Sequence, residues 1–248
     1  MSKTVELKIL RQDGPNDPKR WEVFSVPFRP RMNVITCLQD IQKNPVTKNG
    51  TTTTPVAWDC NCLEEVCGAC TMIINRKPRQ SCSALIEKLD QPVELRPLTK
   101  FPLVRDLVVD RQRMFDALVH VRAWVPIDGT HDLGPGPRVD PATQERGYSF
   151  ARCMTCGCCM EACPQYGPGR LFIGPAPLTQ VELHGLHPVG AMHQEPRLHA
   201  LMGPGGLGDC GNAQNCVQVC PKEIPITDAI GDLGRQLTGQ FAKDFFGK

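Results

Sequence analysis

The length, composition and charge of the chain narrow the range of possible functions. Its 248 residues allow one large or two modest domains, and 28 Lys and Arg against 26 Asp and Glu give a formal net charge of +2. That balance gives no electrostatic reason to expect nucleic acid as a partner. The start of the chain lacks the apolar core of a signal peptide, and no stretch approaches the roughly 20 apolar residues of a membrane span. We therefore expect a cytoplasmic protein that reaches a membrane only through a partner.

The N-terminal part predicts a domain of mixed β and α structure. Strands are predicted at Val5–Ile9, Trp21–Val26, Met72–Ile74 and Val93–Leu98. Between the second and third strands, Asn33 precedes apolar residues at helical spacing, which predicts a short helix capped by Asn33.

The first cysteine group has the spacing of a plant-type two-iron site. Cys62-x4-Cys67-x2-Cys70 is followed twelve residues later by Cys82. Gly68 lies inside this loop and allows close approach of the backbone, so that amide groups can point at sulfur. Cys60 is a competing ligand, but the spacing favours Cys62. The predicted [2Fe-2S] ligands are Cys62, Cys67, Cys70 and Cys82.

After Pro102 the apolar residues follow helical spacing, which predicts a long helix up to Val125. The stretch 126–141 is rich in Pro and Gly and predicts a loop. A final amphipathic helix is predicted behind Pro225, with its apolar face running to Phe241. The chain is therefore predicted to be of the α+β class, with one domain at 1–103 and a mainly helical one at 104–248.

Two later cysteine runs have the bacterial ferredoxin spacing of a cubane site. They are Cys153-x2-Cys156-x2-Cys159-x3-Cys163-Pro164 and Cys210-x2-Ala213-x2-Cys216-x3-Cys220-Pro221. Ala213 stands where the second cysteine of its run is expected, which indicates a three-iron cluster. In two-cluster ferredoxins the fourth cysteine of each run binds the other cluster. The predicted ligands are therefore Cys153, Cys156, Cys159 and Cys220 for [4Fe-4S], and Cys163, Cys210 and Cys216 for [3Fe-4S].

Some alternatives remain open from the residues alone. Paired Cys-x2-Cys motifs also make zinc ribbons, which would turn the chain into a zinc-stabilised interaction scaffold. Ala213 could also mark a cubane with a non-cysteine fourth ligand. Cys37 and Cys158 are interpreted as buried residues without a ligand role. The histidines at 184, 187, 193 and 199 match no metal-site spacing and are interpreted as interface or solvated residues.

With three cluster motifs in this order, the chain resembles the iron–sulfur subunit of succinate dehydrogenase and of its relative quinol:fumarate reductase. The resemblance covers nearly the whole chain and includes Asn61–Cys70 (NCLEEVCGAC), Arg105–Asp110 (RDLVVD) and both cubane runs. It implies a β-grasp plant-type ferredoxin domain followed by an all-α bacterial-ferredoxin-like domain. The implied partners are an FAD-bearing flavoprotein subunit and a membrane cytochrome b anchor carrying haem b.

The resemblance also implies a role and a location. Electrons would pass from the flavin to [2Fe-2S], [4Fe-4S] and [3Fe-4S] in turn and then to quinone, with no dicarboxylate chemistry on this chain. The subunit would lie on the cytoplasmic face of the plasma membrane, held there by the anchor. The same role in a fumarate reductase, with electrons running the other way, stays open.

The quinone type is suggested by a departure from the family pattern. Ubiquinone-using members carry a tryptophan four residues after the proline that matches Pro164, and a histidine after the first cysteine of the last run. Here those positions are Pro168 and Gly211, so that only Pro164 carries over as a quinone-site residue. Leu171–Leu178 and Gly203–Gly208 resemble the menaquinone-linked branch, whose anchor is a single diheme cytochrome b.

Overall fold

A computed structural model describes residues 3–125 and 137–247, and the chain forms two compact units. The first unit is made by Met1–Arg111 together with Met154–Glu161. The second is made by Gln112–Cys153 and Ala162–Lys248. The predicted loop at 126–141 lies largely outside the described residues.

The first unit is built on a five-stranded mixed sheet with the strand order β2-β1-β5-β3-β4. Its strands are β1 (Thr4–Arg11), β2 (Arg20–Pro27), β3 (Thr71–Ile74), β4 (Lys77–Gln80) and β5 (Val93–Arg96). The central strands β1 and β5 run parallel, and the pairs β1–β2, β3–β5 and β3–β4 are antiparallel. All four predicted strands are therefore confirmed.

Helix α1 (Val34–Lys43) packs its apolar face into the same core as the sheet. Leu38 from the helix and Leu7 and Leu95 from the strands are fully buried together. The Asn33 side chain accepts a hydrogen bond from the Thr36 amide at 2.9 Å, which confirms the predicted cap. Sheet and helix together form the β-grasp arrangement that the resemblance implies.

A buried ion pair fixes the segment that follows the sheet. The guanidinium of Arg11, at the end of β1, donates to both carboxylate oxygens of Asp106, from Nε to Oδ1 at 2.9 Å and from Nη2 to Oδ2 at 3.1 Å. The amides of Gln12 and Ala57 donate to the same carboxylate at 3.1 and 2.9 Å. Asp106 has a positive φ of 46° and lies in the turn between β6 (Leu103–Arg105) and β7 (Val108–Val109).

The prediction of one long helix from Pro102 to Val125 is therefore wrong. The chain makes the β6–β7 hairpin first, and helix α2 comprises only Gln112–His120. The apolar residues of the hairpin fit helical spacing by coincidence. Four hydrogen bonds on the Asp106 carboxylate, made to residues distant in sequence, outweigh that local pattern.

The segment Met154–Glu161 joins the first unit through buried polar contacts. Helix α4 (Cys158–Ala162) carries Glu161, whose carboxylate accepts from the Thr99 hydroxyl at 2.6 Å and from the amides of Thr99 and Lys100 at 2.9 and 3.0 Å. The Gln80 amide donates to the Cys158 sulfur at 3.5 Å. The Met154–Glu161 segment is thus fastened to the unit that carries the two-iron loop, residues 62–70.

The regular structure in the described part of the second unit is helical. Besides α2 it contains α3 (Pro141–Ala151), α5 (Pro175–Leu186), α6 (Pro188–Ala191), α7 (Gln194–Met202), α8 (Asn215–Gln218) and α9 (Ile226–Phe246). Short 3₁₀ turns lie at Leu207–Asp209 here and at Ile86–Lys88 in the first unit. The buried Glu182 of α5 accepts from Arg146 of α3 and from Gln236 of α9, both at 2.8 Å, and so ties three helices together.

Helix α9 confirms the predicted C-terminal helix, which starts behind Pro225. Its first half buries Ala229 and Leu233, whereas Phe241 is 64% exposed although the spacing put it on the apolar face. Among residues 3–125 and 137–247 we find no helix that combines the length and the apolarity needed to cross a membrane.

Candidate metal centres

The two-iron loop turns its backbone amides toward sulfur. Leu63, Glu65 and Gly68 have positive φ angles of 62°, 57° and 71°, and the left-handed Leu63 and Glu65 alternate with Glu64, which is not left-handed. Such alternation directs successive N–H groups into one concavity, an arrangement that occurs at many iron–sulfur sites. The loop conformation is therefore suited to holding negatively charged sulfur.

The hydrogen bonds in this loop converge on two of the predicted ligands. The Cys62 sulfur accepts from the amides of Glu64, Val66 and Cys67 at 3.4, 3.3 and 3.3 Å. The Cys67 sulfur accepts from the amides of Cys62 and Ala69 at 3.4 and 3.5 Å. Donation from Glu64 and Val66 lowers the pKa of Cys62 to about 7, so that the thiolate forms readily.

The other two predicted ligands form the buried side of the same site. Cys70 and Cys82 lie in a small buried cluster with Ile35, on which Trp58 packs. Burial raises the pKa of Cys82 to about 11, so a thiolate there needs a positively charged partner such as iron. The Cys82 carbonyl accepts from the Asn33 side chain at 2.8 Å, which anchors the fourth ligand to the start of α1.

Cys60, the competing ligand, is exposed, whereas three amides point at the sulfur of Cys62. The structure therefore favours Cys62.

Cys37 is fully buried in the core of the first unit, and burial raises the pKa of its thiol to about 12. A thiol in that setting remains protonated, as its interpretation as a core residue requires.

Two of the predicted four-iron ligands lie in the first unit. Cys156 and Cys159 are buried in the first unit, with the fully buried Cys158 between them in sequence. The Cys158 thiol donates to the Cys156 sulfur, which lowers the pKa of Cys156 to about 7, and the cation of Arg111 acts in the same direction. The pKa of Cys158 is raised by the same contact, so Cys158 is the thiol that keeps its proton.

Cys153 and Cys220 belong to the second unit. The Arg152 guanidinium donates to the Lys222 carbonyl, and this bond joins the residues that flank the two cysteines. The Ile224 amide donates to the Cys220 sulfur at 3.5 Å. Both contacts are consistent with a ligand pair contributed by two chain segments.

The three predicted three-iron ligands line one cavity in the second unit. Cys163, Cys210 and Cys216 surround it together with Ala213 and the quinone candidate Pro164. Burial raises the pKa of Cys216, so a thiolate at this position needs a positively charged partner. The structure thus brings together every residue predicted for this site.

The backbone around Ala213 repeats the backbone around Cys156. Asn212 and Gln214, on either side of Ala213, have positive φ angles of 48° and 61°. Thr155 and Gly157, on either side of Cys156, have positive φ angles of 51° and 87°. Ala213 therefore occupies the conformation of Cys156, a predicted ligand, without supplying a thiol.

Sequence reasoning missed three polar residues around the clusters. The Ser83 hydroxyl donates to the Glu65 carboxylate at 2.5 Å and holds the two-iron loop beside Cys82. Gln80 contacts Cys70 and Cys158, and Arg111 contacts Gly68 and Cys156. None lies in a cysteine motif, and only the folded structure shows their neighbours.

The histidines that matched no metal-site spacing include one with a surface partner. His199 contacts the Asp244 carboxylate at 2.9 Å, and both side chains are exposed. This exposed contact requires no metal.

The residues present fit iron–sulfur clusters better than zinc. Thiolate sulfur suits both metals, but a structural zinc site is a closed tetrahedron of four ligands. The cavity in the second unit is lined by three cysteines around an alanine, and the two-iron loop directs amides at its sulfurs. Three thiols and an open corner match a three-iron cluster, and sulfur-directed amides are typical of cluster ligands.

Comparisons with known proteins agree with this site. Residues 6–116 match the family described as a 2Fe-2S iron–sulfur cluster binding domain, and residues 149–224 match the family described as a 4Fe-4S dicluster domain. The succinate dehydrogenase iron–sulfur subunit of Bacillus subtilis is 56% identical over 245 residues, covering 99% of this chain and 97% of that protein. The chain belongs to the succinate dehydrogenase iron–sulfur subunit family.

More distant relatives support the same fold. The fumarate reductase iron–sulfur subunit of Haemophilus influenzae is 26% identical over 242 residues, covering 92% of this chain and 91% of that protein. A chain of the Mycobacterium smegmatis Sdh1 complex in the apo form has a TM-score of 0.78 at 23% identity, covering 100% of this chain and 99% of that chain.

These findings confirm the predicted α+β class, with a 2Fe-2S domain followed by a helical cluster-binding domain. They also confirm the predicted role, which is that of the iron–sulfur electron-transfer subunit of succinate dehydrogenase.

Proposed function

We propose that the chain conducts electrons from a flavoprotein subunit to a quinone site at a membrane anchor, through three clusters held by eleven cysteines. The observation that carries the proposal is the presence of three differently built thiol sets in one chain. When bound, the clusters would supply reversible one-electron storage at graded potentials. The protein supplies the thiolates, the amide hydrogen bonds and the burial that set those potentials.

The ligand assignment is part of the proposal. We assign Cys62, Cys67, Cys70 and Cys82 to [2Fe-2S], Cys153, Cys156, Cys159 and Cys220 to [4Fe-4S], and Cys163, Cys210 and Cys216 to [3Fe-4S]. The amide bonds to Cys62 and Cys67 support the first set, and the shared cavity around Ala213 supports the third. The [2Fe-2S] ligands lie within 1–103 and the others within 104–248, which is the division proposed for the cluster-binding domains.

The partners and the location extend the family assignment. An FAD-containing flavoprotein would deliver electrons, and a membrane cytochrome b with haem b would accept them through quinone. The chain would then be peripheral at the cytoplasmic face of the membrane, bound through that anchor. Succinate oxidation is the favoured direction, because the Bacillus subtilis succinate dehydrogenase subunit is 56% identical whereas the Haemophilus influenzae fumarate reductase subunit is 26% identical.

Menaquinone is the proposed quinone, with a diheme cytochrome b as its anchor. Pro164 lines the cavity around Ala213 and is the proposed contact of this chain with the quinone site. A Cβ placed on Gly211 would lie 2.7 Å from the Gln165 amide nitrogen, so Gln165 fills the space that a larger residue at 211 would need. The ubiquinone-type histidine therefore has no room here unless Gln165 moves.

Metal and sulfide analysis of the purified chain tests the electron-transfer proposal. We expect about nine irons and about ten acid-labile sulfides per chain, together with a three-iron EPR signal in the oxidised protein. A colourless zinc protein without sulfide would refute the proposal. Extraction of quinone from the purified complex tests the quinone assignment separately, since recovery of ubiquinone alone would exclude menaquinone without affecting the ligand assignment.

A further inference from the structure

Arg111 connects the two-iron loop to the first cubane run within the first unit. Its Nη1 donates to the Gly68 carbonyl at 2.8 Å and to the Cys156 carbonyl at 3.3 Å. Its Nη2 donates to the Ala69 carbonyl at 3.2 Å. One guanidinium thus binds the backbone of two segments, and each segment carries proposed ligands. Gly68 and Ala69 belong to the two-iron loop, and Cys156 belongs to the first cubane run.

The two segments touch directly at Gly68. A Cβ placed there would lie 2.7 Å from the Cα and 2.8 Å from the Cβ of Cys156, which is closer than real Cβ contacts come. Gly68 also has a positive φ of 71°. Glycine is therefore needed both for the turn and for backbone contact between a two-iron ligand loop and a four-iron ligand.

The conformation of the two-iron loop creates the need for a donor such as Arg111. The amide of Ala69 is turned toward the Cys67 sulfur, while the carbonyls of Gly68 and Ala69 face the guanidinium. Carbonyls that converge at the surface of a partly buried loop require donors. The planar fork of arginine can serve several of them at once.

Gln80 provides an uncharged second link between the same segments. Its Oε1 lies 3.0 Å from the Thr71 hydroxyl oxygen, and its Nε2 donates to the Cys158 sulfur at 3.5 Å. Thr71 in turn donates to the Gly68 carbonyl at 2.7 Å. The contact between the segments is thus held at two points, of which only Arg111 carries a charge.

We propose that Arg111 is a positioning residue that holds the [2Fe-2S] loop against the [4Fe-4S] segment and raises the reduction potential of both clusters. The proposal rests on the ligand assignment given above. A nearby positive charge stabilises the more negative, reduced form of each cluster. Because the guanidinium contacts the backbone beside both ligand sets, its positive charge raises the reduction potentials of the [2Fe-2S] and [4Fe-4S] clusters together.

The test is an EPR-monitored redox titration of the intact complex. The variants are Arg111→Gln, which removes the charge, and Arg111→Lys, which keeps it. The matched control is Lys77→Gln, which makes the same change in net charge at an exposed position of β4. Iron and sulfide are counted in every sample, and the wild-type complex is measured first.

For Arg111→Gln we expect the ratio of reduced to oxidised cluster at a fixed potential to fall about tenfold for both clusters. The reason is that the reduced clusters lose their Coulomb attraction to a charge at a partly buried site. That change corresponds to about 59 mV for a one-electron couple. Arg111→Lys should keep both potentials near wild type, and Lys77→Gln should leave them unchanged.

Unchanged potentials in an iron-replete Arg111→Gln complex would overturn the proposal, as would an equal shift in the Lys77→Gln control. If Arg111→Gln does not retain the two clusters, Arg111→Lys decides: clusters at wild-type potentials support the role, and shifted potentials or lost clusters overturn it. A wild-type chain without iron or sulfide would instead refute the proposed function itself.

Discussion

The buried pair between Arg11 and Asp106 gives a sharp prediction about stability. Both side chains are fully buried, and the carboxylate accepts four hydrogen bonds. Asp106→Ala leaves the guanidinium and two backbone amides without this acceptor. Breaking one side of a buried pair costs about 3–5 kcal/mol. The remaining 2.6 Å bond from Arg11 to Glu22 places the expected loss toward the lower end.

A matched control separates burial from charge. Asp40 pairs with Arg29 at 2.6 Å, but the two side chains are 18% and 48% exposed. Asp40→Ala removes the same carboxylate from an arginine, and an exposed pair contributes about 0–1 kcal/mol. Both substitutions remove an aspartate that pairs with an arginine, so their difference reports the burial of Asp106 together with its bonds to two backbone amides.

Thermal unfolding of the iron-loaded protein under anaerobic conditions provides the assay. At about 2–4 °C per kcal/mol for a chain of this size, Asp106→Ala should lower the melting temperature by roughly 10 °C and Asp40→Ala by a few degrees at most. The visible absorbance of the clusters should be lost together with the circular dichroism signal in the Asp106 variant. Equal shifts for the two variants would refute the idea that this pair fixes the β6–β7 hairpin to the sheet.

Other predictions concern the ligand loops. Ala213→Cys should raise the iron content to about ten per chain and abolish the three-iron EPR signal of the oxidised protein; an unchanged signal would exclude the open-corner assignment. Gly68→Ala should cost about 1–2 kcal/mol for its left-handed backbone alone, with more from the contact with Cys156, and a urea titration should show this loss. Cys60→Ser should leave the two-iron EPR signal intact, whereas Cys62→Ser should remove it; the opposite result would exchange their roles.

Local features of the fold could be predicted because their causes are local. Alternating apolar residues specify β1, and Asn33 caps α1 through a hydrogen bond that spans three residues. Ligand spacing likewise specified which cysteines line the cavity around Ala213, because each run supplies its ligands at short, fixed intervals. Within each run the residues are close in sequence, and Cys163 was placed with the other run by the ferredoxin rule for the fourth cysteine.

The failures involve contacts between residues distant in sequence. The helix predicted from Pro102 was wrong because Asp106 is held by Arg11, which lies 95 residues away. Phe241 has the right spacing for the apolar face of α9 but is 64% exposed, since the helix extends beyond the elements that pack on its first half. Arg111 could not be found either, because its partners are carbonyl groups, which carry no side-chain signature in the sequence.

The cysteine motif of the two-iron site is therefore necessary but cannot build the site alone. A loop that turns its amides toward sulfur leaves carbonyls facing elsewhere, and two of them, on Gly68 and Ala69, depend on Arg111. Thr71 supplies a further donor to the Gly68 carbonyl at 2.7 Å. These donors stabilise the conformation in which the amides of Glu64 and Val66 reach the Cys62 sulfur. Residues that never touch a cluster thus determine how well the thiolates are presented to it.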